Sequence, residues 1–137
     1  MKLLTEKQIS QKQISWEEGR HIYFLLKDDM VVYIGKCSKS VPNLFSHRDK
    51  DFTDYFILRI DDENADIDLI HAEYILKLVP KYNGNLPTNE FYMSKSQMKR
   101  NFDVDGFELN RLIKENGANT VYHDYYDIRE VFKRSNL

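Results

Sequence analysis

The sequence predicts an α/β fold of the α+β type: a small three-stranded antiparallel sheet flanked by helices, then a small, mostly helical C-terminal unit. Three observations lead to this prediction. Residues 21–34 carry a hairpin pattern, residues 55–60 form a third run of β-type side chains, and a turn-rich break at residues 83–89 precedes a helical pattern. The 137 residues and 42% hydrophobic content suffice for one domain, or for a small domain with an appendage.

The first predicted strands are those of the hairpin. Residues 21–26 and 30–34 are rich in β-branched and aromatic side chains, and they flank a Lys-Asp-Asp turn at residues 27–29. Before them, residues 1–19 are polar and predict a short helix or arm that folds back on the core, with Trp16 as an anchor.

Two helices are predicted between the hairpin and the break. A short one lies within residues 41–50, because proline suits a first helical turn and apolar residues recur at helical spacing after Pro42. A longer one covers residues 66–78, because acidic residues at its start suit the helix dipole and an apolar stripe follows. The order β-β-α-β-α predicts a two-layer unit over residues 20–88.

The C-terminal unit, residues 89–137, is predicted to be mostly helical. Ser94 caps a first helix, a second covers residues 107–115, and a short extended stretch at residues 120–122 precedes a closing helix over residues 127–133. This order of helix, turn, helix and wing resembles the winged helix-turn-helix of excisionase-like DNA-binding proteins. The alternative is a small helical cap that stabilises the first unit.

A set of polar residues in a fixed order carries a more specific signal. Tyr23 lies in the first strand, Tyr33-Ile34-Gly35 ends the second, and His47, Glu73 and Asn83 follow. This set resembles the GIY-YIG nuclease family over residues 20–84. The resemblance implies a metal-dependent endonuclease that hydrolyses DNA phosphodiester bonds, in the layout of a small phage or mobile-element enzyme.

The resemblance also implies a role for each position. Tyr23 activates the attacking water, Tyr33 contacts the scissile phosphate, and Gly35 lets the backbone approach it closely. His47 relays a proton to or from a tyrosine oxygen. Glu73 binds Mg²⁺ or Mn²⁺, since Mg²⁺ can be held by one carboxylate together with waters and substrate phosphate. The asparagine that closes the set, Asn83, orients local backbone or phosphate.

One position departs from the family. The catalytic arginine, one helical turn before the histidine, is here Asn43, which has neither a charge nor a bidentate fork. Arg48, Lys36 and Lys39 are the cations that could replace it. If none does, the chain is expected to be a catalytically weak or inactive module that binds nucleic acid or a protein partner.

The charge distribution bears on the DNA prediction. The chain has a net charge of −2, but residues 20–50 are net basic and residues 51–73 are mostly acidic, so a basic face is possible. In the C-terminal unit, Asn110 and Arg111 of the second helix are nearest to base edges if that helix enters the major groove. The residues of this unit expected to contact phosphate are Lys95, Lys99, Arg100, Arg111 and Lys114. In the first unit, Lys36 and Lys39 are also expected to bind nucleic acid.

Composition limits the location of the protein. The single cysteine, Cys37, allows no internal disulfide, which fits a reducing cytoplasm. No apolar run approaches the roughly 20 residues of a membrane span, and the N-terminus lacks a signal-peptide pattern. Composition therefore predicts a cytoplasmic protein, and the two resemblances imply DNA as its partner.

Overall fold

A computed structural model gives the fold, and it describes residues 3–11, 19–37 and 44–133. The chain divides into two compact units, Met1–Gly84 and Asn85–Leu137, so the division falls inside the predicted turn-rich break. The described residues form a mixed α+β fold with two three-stranded antiparallel sheets and five α-helices. The predicted α+β class is confirmed at this level. Trp16, Lys39 and Asn43 lie outside the described residues.

The sheet of the first unit is built around the predicted hairpin. Its strands are β1 (His21–Lys27), β2 (Met30–Cys37) and β3 (Asp54–Arg59), and their order in the sheet is β2-β1-β3. Asp28 and Asp29 form the loop between β1 and β2 with φ values of 52° and 63°. A two-residue loop with positive φ at both positions matches the twist of the strands, and aspartate tolerates this conformation better than most residues.

Three helical segments accompany this sheet: α1 (Glu6–Gln11), a 3₁₀ turn (Leu44–His47) and α2 (Ile67–Leu78). The described part of the short helix predicted at residues 41–50 is this single 3₁₀ turn. Helix α2 begins where predicted, because the Asp66 carboxylate accepts the backbone N–H groups of Asp68 and Leu69. It ends at Val79, whose φ of 47° is left-handed.

Alternation along β1 separates two faces of the sheet. Phe24 points to one face, where its ring packs against Phe56 at 5.8 Å and against Tyr74 of α2 at 5.1 Å. Tyr23 and Leu25 point to the other face. Helix α2 therefore covers the Phe24 face, and Tyr23 lies on the other face of the sheet.

The second unit has a small sheet in addition to its helices. Helices α3 (Lys95–Phe102), α4 (Gly106–Asn116) and α5 (Ile128–Val131) surround a core of Met93, Met98, Leu109, Leu112 and Val131. Strands β4 (Tyr92–Ser94), β5 (Thr120–Tyr122) and β6 (Tyr125–Asp127) pair in the order β4-β6-β5. The sequence predicted only the extended stretch at residues 120–122, because three-residue strands are too short to show an alternating pattern.

The capping residues predicted for α3 and α4 act as caps in the structure. Ser94 and Gln97 form a reciprocal capping box at the start of α3, and Gly117 ends α4 with a φ of 63°. Among the residues that the structure describes, none of the helices combines the length and the apolar composition needed to cross a bilayer.

Candidate functional site

Four side chains meet on the Tyr23 face of the first unit. The Tyr23 hydroxyl lies 2.8 Å from Nε2 of His47, and the His47 ring lies 4.8 Å from the Tyr33 ring. Nζ of Lys50 lies 3.1 Å from Nδ1 of His47 and 4.8 Å from the centre of the Tyr33 ring. We call these four residues the tyrosine–histidine cluster. It joins three of the predicted catalytic residues to a lysine that the resemblance does not include.

Local geometry brings the cluster together. Tyr23 pairs with Gly35 and Leu25 pairs with Tyr33 across β1 and β2, so the two tyrosines lie diagonally on one face with ring centres 6.2 Å apart. The turn after the 3₁₀ segment is closed by a hydrogen bond from the Lys50 N–H to the His47 carbonyl at 2.9 Å. This turn places Lys50 beside the imidazole.

Gly35 makes room for the Tyr23 ring. A Cβ atom on Gly35 would lie 2.2 Å from Cζ and 2.4 Å from Oη of Tyr23, distances at which the ring must move. The sequence predicted that Gly35 lets the backbone approach a phosphate. In the structure, the space above Gly35 is filled by Tyr23, so the glycine positions that ring.

The open edge of β2 is closed by side chains at Ile34. Asn83 accepts the Ile34 N–H at 2.8 Å and donates to the Ile34 carbonyl at 2.9 Å, as a neighbouring strand would. Nε2 of His71 lies 2.9 Å from the same carbonyl, and the Tyr82 N–H donates to the Val32 carbonyl at 2.9 Å. Of the two roles predicted for the buried Asn83, these contacts correspond to the orientation of backbone.

Glu73 is not brought to the cluster. It lies on α2, which covers the opposite face of the sheet, and it borders a surface cavity with Leu3, Asp62 and Asp66. Within residues 3–11, 19–37 and 44–133, no three His, Cys, Asp or Glu side chains are grouped so that they could hold a metal ion. The four residues of the cluster include no carboxylate, so the Mg²⁺ or Mn²⁺ site implied by the resemblance would need oxygen ligands from outside the cluster.

The predicted substitutes for the family arginine lie in different places. Lys36 forms an ion pair with Asp68 at the start of α2, so its side chain is directed toward α2. Arg48 is exposed in the turn after His47, and Lys39 is outside the described residues. The cation in the cluster is Lys50, whose side chain is only 16% exposed. The sequence offered one signal for it, a spacing of three residues from His47 across a turn.

Burial shapes the acid–base properties of the cluster. Burial, reinforced by the neighbouring Tyr33 hydroxyl, raises the pKa of Tyr23 above that of an ordinary tyrosine, and burial also raises the pKa of Tyr33. Burial lowers the pKa of His47, the Lys50 charge lowers it further, and Asp49 opposes them. At neutral pH the cluster therefore contains two protonated tyrosines and a neutral imidazole.

The predicted DNA-contacting residues of the second unit differ in their charge partners. Arg111 is held between Glu108 and Glu115 on α4, so its charge is neutralised within the helix. In contrast, α3 contains no acidic residue, and its three cations have no carboxylate partner in the part of the chain that the structure describes. These cations are Lys95, Lys99 and Arg100. Asn110 and Lys114 are exposed on α4.

Comparison of the chain with protein-family models, with curated proteins and with solved structures gives no match.

Proposed function

We propose that the first unit is a nuclease unit that binds the phosphodiester backbone of DNA at the tyrosine–histidine cluster and hydrolyses it. The observation that supports this most is convergence. Tyr23, Tyr33 and His47 are separated along the chain, yet they share one sheet face and are linked by a hydrogen bond and ring contacts. Proton-transferring groups held this close to a partly buried cation match what phosphodiester hydrolysis requires.

Each side chain has a task in this proposal. The Lys50 ammonium offsets the charge that develops on the phosphate oxygens, and its low exposure strengthens this effect relative to a surface lysine. The Tyr33 hydroxyl donates a hydrogen bond to a non-bridging oxygen. Tyr23 and His47 handle the proton that hydrolysis moves.

In this proposal the positive charge that stabilises the phosphate comes from a side chain, whereas in the GIY-YIG family it comes from a metal ion. Mg²⁺ would need carboxylate or other oxygen ligands near the phosphate, and Glu73 lies on the opposite face of the sheet. Lys50 is therefore the proposed cation, and no step is assigned to a metal.

Nicking of supercoiled plasmid tests the proposal, with Mg²⁺, with Mn²⁺ and with EDTA. We expect the native chain to nick in all three conditions and Tyr23→Phe to lose about 10²–10⁴-fold in rate. Lys50→Met should also be strongly impaired, whereas Lys77→Met, a matched change of an exposed lysine on α2, and Glu73→Gln should behave like the native chain. Nicking that needs a metal and disappears in Glu73→Gln would refute the assignment of the charge to Lys50.

A second function is favoured by the position of Glu73 itself. With the only predicted metal ligand away from the cluster, the unit can bind a phosphodiester without cutting it. The same plasmid separates the two functions. A gel shift that Lys50→Met weakens, without nicking in any of the three conditions, would support the binding module and refute the nuclease.

For the second unit we propose that α3, not α4, contacts the DNA backbone. The α3 cations have no acidic partner among the described residues, whereas Arg111 would have to leave two carboxylates to reach a phosphate. Each phosphate contact contributes about −0.9 to the slope of log K against log salt. Lys99→Met should therefore weaken binding and flatten this slope by about 1, and Arg111→Met should leave it unchanged. The reverse pattern would assign the contact to α4.

A further inference from the structure

The direction of the hydrogen bonds in the tyrosine–histidine cluster follows from Lys50. A lysine ammonium has donors and no acceptor, so Nδ1 of His47, 3.1 Å from Lys50 Nζ, must accept. An accepting Nδ1 carries no proton. A neutral imidazole in this position therefore holds its single proton on Nε2.

That tautomer sets the role of Tyr23. Nε2 of His47 lies 2.8 Å from the Tyr23 hydroxyl oxygen, so the imidazole N–H donates and the tyrosine oxygen accepts. The hydroxyl proton of Tyr23 must then point away from His47. Tyr23 is thus an acceptor toward His47, and its proton is available to the neighbouring Tyr33 hydroxyl or to a substrate oxygen that lies over the cluster.

We infer that Lys50 and His47 form a directed donor chain that holds Tyr23 as a proton donor, so that Tyr23 serves as the general acid for the leaving oxygen rather than as the base that activates water. The chain itself follows from the three side chains, whereas the acid role rests on the proposed nuclease function. Lys50 and His47 are positioning residues, and Tyr23 contacts the substrate.

The water oxygen bonds to phosphorus while the bond from phosphorus to the leaving oxygen breaks, and the leaving oxygen takes the Tyr23 proton. The tyrosinate that forms is stabilised by the His47 Nε2–H, with the Lys50 charge behind it. The proton of the attacking water passes to solvent, and a solvent proton restores Tyr23.

The surroundings agree with this assignment. Burial raises the pKa of Tyr23, which keeps it protonated at neutral pH and would make it a poor base. In the described part of the chain, the charged and titratable groups that face His47 include Tyr23 of β1, Tyr33 of β2, and Asp49 and Lys50 of its own turn. Lys50 lies close enough to fix the tautomer, while Asp49 is an exposed ion-pair partner of Lys50.

Nitrogen NMR of the His47 ring tests the donor chain without any substrate. In the native chain we expect a protonated Nε2, an accepting Nδ1 and a His47 pKa below its ordinary value. Lys50→Met should mix the two tautomers and raise that pKa, because it removes a donor and a positive charge, and Lys77→Met should change neither. A native ring with its proton on Nδ1, or a tautomer that Lys50→Met leaves unchanged, would overturn the inference.

Two substrates test the acid role. Plasmid cleavage expels an alkoxide that needs a proton, whereas bis(p-nitrophenyl) phosphate expels a phenolate that leaves without one. Tyr23→Phe should lose about 10²–10⁴-fold on plasmid and less than about tenfold on the nitrophenyl ester. Equal losses on both substrates would overturn the acid role and leave the nuclease proposal standing. A native chain that cleaves neither substrate would refute the nuclease and the acid role together, while the NMR result would still decide the donor chain.

Discussion

Replacing Gly35 with alanine tests how the first unit positions Tyr23. The added Cβ would lie 2.2 Å from Cζ of Tyr23, and carbon atoms in contact are about 3.5–4.0 Å apart, so the ring must retreat by about 1.5 Å. A retreat of that size breaks the 2.8 Å hydrogen bond between Tyr23 and His47.

The cost of this substitution has two parts. Overpacking a well-packed site costs about 1–3 kcal/mol, and the lost hydrogen bond adds about 1 kcal/mol. Gly35→Ala should therefore lower the free energy of unfolding by roughly 2–4 kcal/mol, which moves the urea midpoint down by roughly 1–2 M. If the nuclease proposal holds, displacement of Tyr23 should also lower the cleavage rate by about 10²-fold.

Urea unfolding followed by far-UV circular dichroism measures the effect, with two comparisons. A Cβ on Gly84 would meet nothing within 4 Å, so Gly84→Ala should change the unfolding free energy by less than about 0.5 kcal/mol. In a Tyr23→Ala background the ring is gone, and Gly35→Ala should then be neutral or slightly stabilising, by about 0.5 kcal/mol. A Gly35→Ala penalty of the same size with and without the Tyr23 ring would refute the reasoning.

Three further predictions concern stability. Burial is the main cause that lowers the pKa values of both His47 and His71 in the folded chain, so their contribution to stability is complete above the unfolded pKa of about 6.5 and is lost as the pH falls below it. The urea midpoint should therefore be lower at about pH 5.5 than at about pH 7.5. A midpoint that rises on acidification would contradict this prediction. Asn83→Ala leaves the Ile34 N–H without its acceptor and should cost about 1–3 kcal/mol, against no measurable cost for the exposed Lys81→Ala. Ser94→Ala removes the capping box of α3 and should cost about 0.5–2 kcal/mol, seen as faster amide exchange in α3 with α4 unaffected.

The elements that were predictable from sequence are those with local causes. The hairpin from β1 to β2 follows from two β-rich runs and an Asp-Asp loop, and α2 follows from the Asp66 cap and the proline after its end. The three-residue strands of the second unit escaped because their pairing, such as Met93 with Tyr126, joins residues far apart in sequence. Pairing of that kind leaves no periodic signal.

The candidate site includes three residues that the sequence singled out, and they come from β1, β2 and the 3₁₀ turn. Tyr23, Tyr33 and His47 lie together because strand register and one short turn fix their direction. Two other features were not predicted. Lys50 joins the cluster through a turn that helical spacing does not describe, and the direction of Glu73 depends on how α2 is rotated against the sheet.

The rotation of α2 is fixed strongly enough to keep Glu73 away from the cluster. Tyr74 is 1% exposed and packs edge-on against Phe24, while His71 contacts the Ile34 carbonyl at the edge of β2. At 3.6 residues per turn these two side chains lie about 60° apart on the helix, and Glu73 lies well outside the arc that they define. To turn Glu73 inward, α2 would have to unpack Tyr74, and loss of a buried aromatic of this size costs about 3–5 kcal/mol. The tyrosines therefore face Lys50 rather than Glu73 for reasons of packing, which is why the proposed function assigns the positive charge to Lys50.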